Sequence, residues 1–184
     1  MATLIERAIG AARLDVATYE EVEHDPTALP QAMTVVVAAA IASGIGSAAQ
    51  QGLLGLVVGA VASLVGWFVW AGLVYLVGTR LLPAPDTKAD LGQLLRTTGF
   101  SAAPGVLAVG GIVPGIGMLV VALAGLWQLA TMVVAVRQAL EYPTLGRAIA
   151  VCLIGFLVYV LIGVVLVASC VGALQGGASG SAIG

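Results

Sequence analysis

The sequence has no asparagine, one lysine, one histidine and two cysteines in 184 residues, and only 9% of it is Asp, Glu, Lys or Arg. Soluble domains average about 25% charged residues, so a water-soluble globule is excluded. The cysteines, Cys152 and Cys170, share one apolar run and would stand about 27 Å apart on a single helix, too far to bridge. No disulfide framework follows, and both read as packing residues. A net charge of -2 offers no surface for nucleic acid. No Asp, Glu, Lys, Arg or His interrupts the long apolar stretches, so the usual marks of a proton relay or an intramembrane catalytic pair are missing. The first long apolar run follows a mixed acidic and basic stretch rather than a basic start, which does not fit a cleavable signal.

What is present is apolar: 60% of the chain. The runs are continuous rather than alternating, which predicts helices and not a barrel. Charges sit in islands separated by uncharged gaps at 26–79, 97–136 and 148–184. At about 1.5 Å rise per residue and roughly 20 residues per crossing, the first gap holds two spans divided by Gln50-Gln51. Pro114-Gly115 divides the second gap in the same way, and the third holds one span. The expected fold is an all-α bundle of five spans at about 32–49, 53–78, 97–113, 116–136 and 148–174, followed by a flexible tail at 175–184. Threading the chain this way puts every Arg, Lys, Asp and Glu on one side. Cytoplasmic loops are enriched in Lys and Arg, so that side, with the N-terminus, is expected in the cytoplasm and the C-terminus outside.

Residues 1–30 read as a cytoplasmic entry segment. Leu4, Ile5, Ala8, Ile9, Ala12 and Val16 share one helical arc opposite Glu6, Arg7 and Arg13, the pattern of an amphipathic helix lying in the interface or packed on the span ends. Tyr19 to Pro30 reads as an acidic, non-helical entry to the first span. Thr87-Lys-Ala-Asp90 has capping-box spacing and predicts a helix start. Pro104 and Gly105 predict a break in the third span. Gly52, Gly55, Gly59, Ser63 and Gly66, three or four apart, line one face of the second span. They read as a packing stripe against a helix of this chain or of a second copy.

Catalytic readings fail on placement. Gly177-Ala-Ser-Gly180 fits the GxSG pattern of rhomboid proteases, but it lies beyond the last span, with His24 expected on the opposite face, out of reach as a base. Gly44-Ile-Gly46 has no strand before it and is no nucleotide loop. The acids Glu20, Glu21, Glu23 and Asp25 with His24 read as solvated or paired with Arg137 and Arg147 rather than as a metal site. No catalytic residue, cofactor or metal is therefore expected. Trp67, Trp127, Gln128 and Tyr159 fall near the middle of their spans. Gln128 and Tyr159 would each need a hydrogen-bond partner there, predicting that both face the interior and bond to each other, as a clamp or around a small apolar cavity.

The order of an acidic stretch, five spans and a charged loop after the second resembles the bacterial branch of the Yip1 family. So does Trp127 followed by Val136-Arg137-Gln138-Ala139-Leu140 and Gly146-Arg147-Ala148. Thr97-Thr-Gly-Phe100 with Ala103-Pro104 is similar to the family's entry to its third span. The resemblance implies a five-span membrane protein with a cytoplasmic N-terminus. Eukaryotic members, which bind Rab-type GTPases, carry Asp-Leu-Tyr-Gly-Pro ahead of the first span. This chain has Glu23-His-Asp-Pro26 there, and GTPase binding is not carried over. The alanine-rich, asparagine-free composition points to a bacterial cytoplasmic membrane. The expected function is a non-enzymatic scaffold or adaptor that meets membrane lipid headgroups or a protein partner through Glu20, Glu21, Asp25, Arg96, Arg137, Gln138 and Arg147. The alternative is a small channel or a transporter of lipid or another apolar ligand, working through the midplane cavity.

Overall fold

The computed structural model describes residues 2–46, 48–83 and 89–180, with only the backbone given for 48–55, 166–168 and 170–180. Among these residues all regular secondary structure is helical. Two short helices, α1 (Leu4–Ala12) and α2 (Val16–His24), precede the long helices α3 (Leu29–Gly46) and α4 (Ala48–Leu76), the latter widening into a π-helical turn at Val77–Leu81. Then come α5 (Leu91–Phe100), a 3-10 helix (Ala103–Ile112), α6 (Gly117–Ala139) and α7 (Leu145–Gly180). Among the described residues four stretches are long and apolar enough to cross a membrane: Pro26–Gly46, Leu56–Leu81, Gly117–Ala139 and Leu145–Val165.

Several expected boundaries move. The segment expected to be non-helical folds as α2 because Asp15 caps it, accepting from Ala17 N and from Thr18 Oγ1 at 2.8 Å. Asp25 then caps a short 3-10 turn at Pro26–Ala28, and Pro30 falls in the first turn of α3, where a missing N–H costs nothing. The first hairpin breaks after Gly46, not at Gln50-Gln51, which lie within the α4 backbone. The box that starts α5 is Asp90 with Gln93, bonded reciprocally at 2.9 and 2.7 Å. Thr87, expected to cap it, lies outside the described residues, as do the last four residues of the tail.

The break predicted in the third span at Pro104 and Gly105 is present, and the half beyond it is not α-helical. The span is α5 joined at Ser101-Ala102 to a 3-10 helix. The break exposes carbonyls that lose their helical partners, and side chains replace them: Thr131 Oγ1 donates to Ser101 O at 2.7 Å and Ser101 Oγ to Thr98 O at 2.7 Å. Trp67 Nε1 donates to Thr98 Oγ1 at 3.1 Å. Thr98, Ser101 and Thr131 are fully or almost fully buried. This composite segment packs between α3 and α6. Cβ atoms placed on Gly99, Gly105 and Gly111 would meet Ala32, Ala39 and Gly46 in turn. The six-residue spacing equals two turns of a 3-10 helix, and the seven-residue spacing on α3 is close to two α-turns. The segment therefore runs parallel to α3 along most of its length.

Among the described residues two helix ends carry a left-handed residue that is not glycine, Leu14 (φ 63°) and Glu141 (φ 51°). Both close Schellman motifs: Asp15 N bonds to Gly10 O and Leu14 N to Ala11 O, and likewise Tyr142 N to Arg137 O and Glu141 N to Gln138 O. A side chain in this conformation costs about 1–2 kcal/mol. Glu141 is exposed, so Glu141→Gly is expected to stabilise the protein by about 1 kcal/mol, read as a higher unfolding temperature in detergent. A nearby orphan arises at Gly78, whose carbonyl would pair with the N–H of residue 83 in a π-turn, but that residue is proline. The buried Tyr142 hydroxyl reaches it at 3.1 Å and Leu82 O at 2.7 Å.

Candidate functional site

The charged side chains gather at one end of the bundle and are largely spent inside the chain. Arg7, 3% exposed, donates to Glu21 at 2.8 Å, Asp25 at 2.6 Å and Gln31 Oε1 at 3.0 Å. Burial alone would lower its pKa, but the hydrogen bonds to Glu21 and Asp25 outweigh burial and raise it. Hydrogen bonds from Thr27 and Arg7 hold the Asp25 carboxyl down at about 2. Arg96 donates to Val22 O at 3.0 Å and to Glu23 O, closing the C-terminus of α2 where a cation is favoured. Gln138 Nε2 donates to Glu20, Arg137 Nε to Tyr142 O at 3.2 Å and Arg147 to Pro83 O at 3.3 Å. Each of the seven residues expected to form an outward-facing interaction surface thus makes an internal bond. Glu23 is buried, and desolvation pushes its carboxyl pKa up. Among the described residues no group of His, Cys, Asp or Glu could hold a metal ion.

A cleft of about 930 Å³ lies between α3, α4, the composite segment, α6 and α7. Trp67, Gln128 and Tyr159 line it, with Ser63, Gly66 and Trp70. Trp67 is 6% exposed and fixed by Thr98. Trp70 meets the Tyr159 ring edge-on at 6.3 Å. Leu126 (65% exposed) and Phe156 (54%) stand at the rim, so the cleft opens sideways toward the apolar surroundings.

Two of the expected placements differ. Gln128 and Tyr159 are not hydrogen-bonded to each other. The Gln128 carboxamide abuts Gly105, and the Tyr159 hydroxyl approaches Gly66. Trp127 points away from the cleft, donating from its indole N–H to Ala12 O at 2.7 Å. Of the expected packing stripe, Gly66 meets a neighbouring helix, at the Tyr159 hydroxyl of α7. A Cβ on Gly59 would meet nothing within 4 Å, and Ser63 and Gly66 face the cleft. Gly52 and Gly55 fall where only the backbone is described. Further close approaches lie at Gly46, Gly99, Gly105 and Gly111. The sequence signal for them was the six-residue glycine period; for the hinge it was the run Thr97, Thr98 and Ser101 before a proline.

The four long apolar helices among the described residues and a cleft open toward the apolar side define an integral membrane protein. The chain belongs to the Yip1 family: the family model described as Yip1 domain matches residues 16–166. No curated protein and no solved structure matches it.

Proposed function

We propose that this Yip1-type protein is a non-enzymatic lipid-binding membrane protein that takes an acyl chain into its lateral cleft. The observation that carries this reading is the cleft itself. Its size falls within the roughly 300–1,000 Å³ of small-molecule sites, and its walls are apolar with a few polar points, as such sites are. A chain entering from the bilayer would pack on Trp67, Trp70 and Phe156, with the Gln128 carboxamide and the Tyr159 hydroxyl available to a carbonyl or ester. The internal bonding of the charged face favours this reading over the adaptor. The composite of α5 and the 3-10 helix serves as a fifth crossing, because it parallels α3. The charged end faces the cytoplasm of a bacterial cell by the preference of basic residues for that side.

The test is lipid retention. The full-length protein is purified in mild detergent and its bound lipids are quantified by mass spectrometry, beside Ser63→Trp and Gly125→Trp. Gly125 lines the cleft and a Cβ there meets nothing within 4 Å, so a tryptophan side chain can leave the backbone there without a clash at its base. Stoichiometric lipid in the wild type is expected to fall at least about tenfold in the variants, equivalent to excluding roughly two buried methylenes. Equal retention in all three proteins would overturn the reading. A stoichiometric protein partner without lipid would return the assignment to the adaptor.

A further inference from the structure

The N-terminal hairpin of α1 and α2 has its polarity reversed. The arginine of α1 is buried, whereas Ile5 and Ile9 are 67% and 47% exposed and Leu14 and Val16 are 39% each. In water, exposing a large aliphatic side chain forgoes about 1.5–3 kcal/mol relative to burial. The exposed acids of the hairpin all accept hydrogen bonds: Glu6 from Thr3 N at 2.7 Å, Asp15 from Thr18, Glu20 from Gln138 and Glu21 from Arg7.

Its contacts place the hairpin beside the spans, not beneath them. The carbonyl of Ala12, at the end of α1, accepts from Trp127, and the Tyr19 hydroxyl of α2 lies at 3.3 Å from Thr131 O. Trp127 sits about 18 Å before the charged end of α6 at Ala139. Levels on the far side of the bundle are fixed by two contacts, Trp70 Nε1 with Met132 Sδ at 3.2 Å and Gly78 against Leu140. Between those levels α4 exposes Leu76 (52%), and Val69 (40%) lies just outside them. Apolar surroundings therefore reach as far toward the charged end as α2 does.

We propose that α1 and α2 form a re-entrant hairpin seated in the acyl layer of the leaflet on the charged side. Ile5, Ile9 and Val16 face lipid chains, and Arg7 is neutralised inward by Glu21 and Asp25. The occupant of the exposed α1 face is bilayer lipid because that face is continuous with the exposed apolar belt of α6 at Leu126 and Leu129. Arg13 at the turn lies beside Ala12 near the level of Trp127, and its stem carries the guanidinium only part of the way toward the headgroups. The inference does not depend on the cleft holding a ligand.

The wild-type chain, reconstituted in phosphatidylcholine vesicles, tests it with two photoreactive phosphatidylcholines, one carrying a diazirine midway along an acyl chain and one in the headgroup. Labelled peptides are mapped by mass spectrometry. The acyl-chain probe is expected to label residues 4–16 at least about fivefold more than the headgroup probe, as for a segment sunk below the interface. Headgroup labelling alone would place the hairpin on the surface and overturn the proposal. Labelling by neither probe, or crosslinks from this segment to a second copy of the chain, would overturn it as well.

Discussion

Replacing Arg7 with alanine is expected to cost about 3 kcal/mol, the lower end of the 3–5 kcal/mol typical of breaking a buried ion pair from one side. The guanidinium is 3% exposed and holds three acceptors at once, on α2, at its C-cap and on α3. Its loss leaves Asp25 and Gln31 without their partner, while Glu21, 42% exposed, can be rehydrated. For that last reason Glu21→Ala should cost under about 1 kcal/mol. The measurement is the free energy or midpoint of unfolding in detergent for the two variants. If Arg7→Ala is as mild as Glu21→Ala, the cluster does not tie the hairpin to the first span. The pH dependence supplies a second readout. The Asp25 pKa is depressed in the folded state, so its contribution is present above the ordinary aspartate value near 4 and is lost as pH falls through about 2. Wild-type stability should therefore decline in that window, and the Arg7→Ala profile should be flatter there.

Gly46→Ala should cost at least about 1–3 kcal/mol, the range for forcing atoms into a packed interior. Its Cβ would lie 2.1 Å from the carbonyl oxygen of Ala108, a backbone atom that cannot rotate away. Gly59→Ala, in a helix and with nothing within 4 Å, should be neutral or stabilise by up to about 1 kcal/mol through helix propensity. Thermal unfolding of the pair in detergent checks the contrast. Should Gly59→Ala prove the damaging substitution, the face bearing Gly59 is covered by something else. Sedimentation of Gly59→Leu would then show whether a second copy covers it.

How far the sequence could be read depended on the range of the interactions involved. The all-helical class follows from continuous apolar runs, and the charged end follows from charge islands; both are properties of composition along the chain. The turn at Pro114-Gly115 was legible because glycine permits the φ of +83° found there. Glu141 and Leu14 hid the ends of their helices because neither is a residue that favours the left-handed region, and hydrogen bonds closed the motifs regardless. The break in the third span was legible from Pro104 and Gly105, but the 3-10 form of its far half was not, because it depends on carbonyls satisfied by Thr131, some 30 residues away in sequence. The burial of Arg7 was not legible for a related reason. Periodicity identifies the two faces of a helix but not which one meets the protein, and only Glu21, Asp25 and Gln31 decide that. The cleft was approached through Trp67, Gln128 and Tyr159, while the placement of Trp127 depended on a carbonyl at Ala12 that no local pattern reveals.

The glycine contacts between the composite segment and α3 form a discrete ladder. Gly99, Gly105 and Gly111 each seat where backbone or a methyl group leaves no room for a Cβ. Sliding the segment by one 3-10 turn, three residues, would bring Ala102, Ala108 and Pro114 to those seats. The next permitted position is a full six residues away, about 12 Å along the axis. A displacement that large would tear Thr131 from Ser101 and Thr98 from Trp67. The broken span is therefore a strut that fixes the spacing between α3 and α6, not a piston, and any opening or closing of the cleft falls to α4 and α7 on its other side.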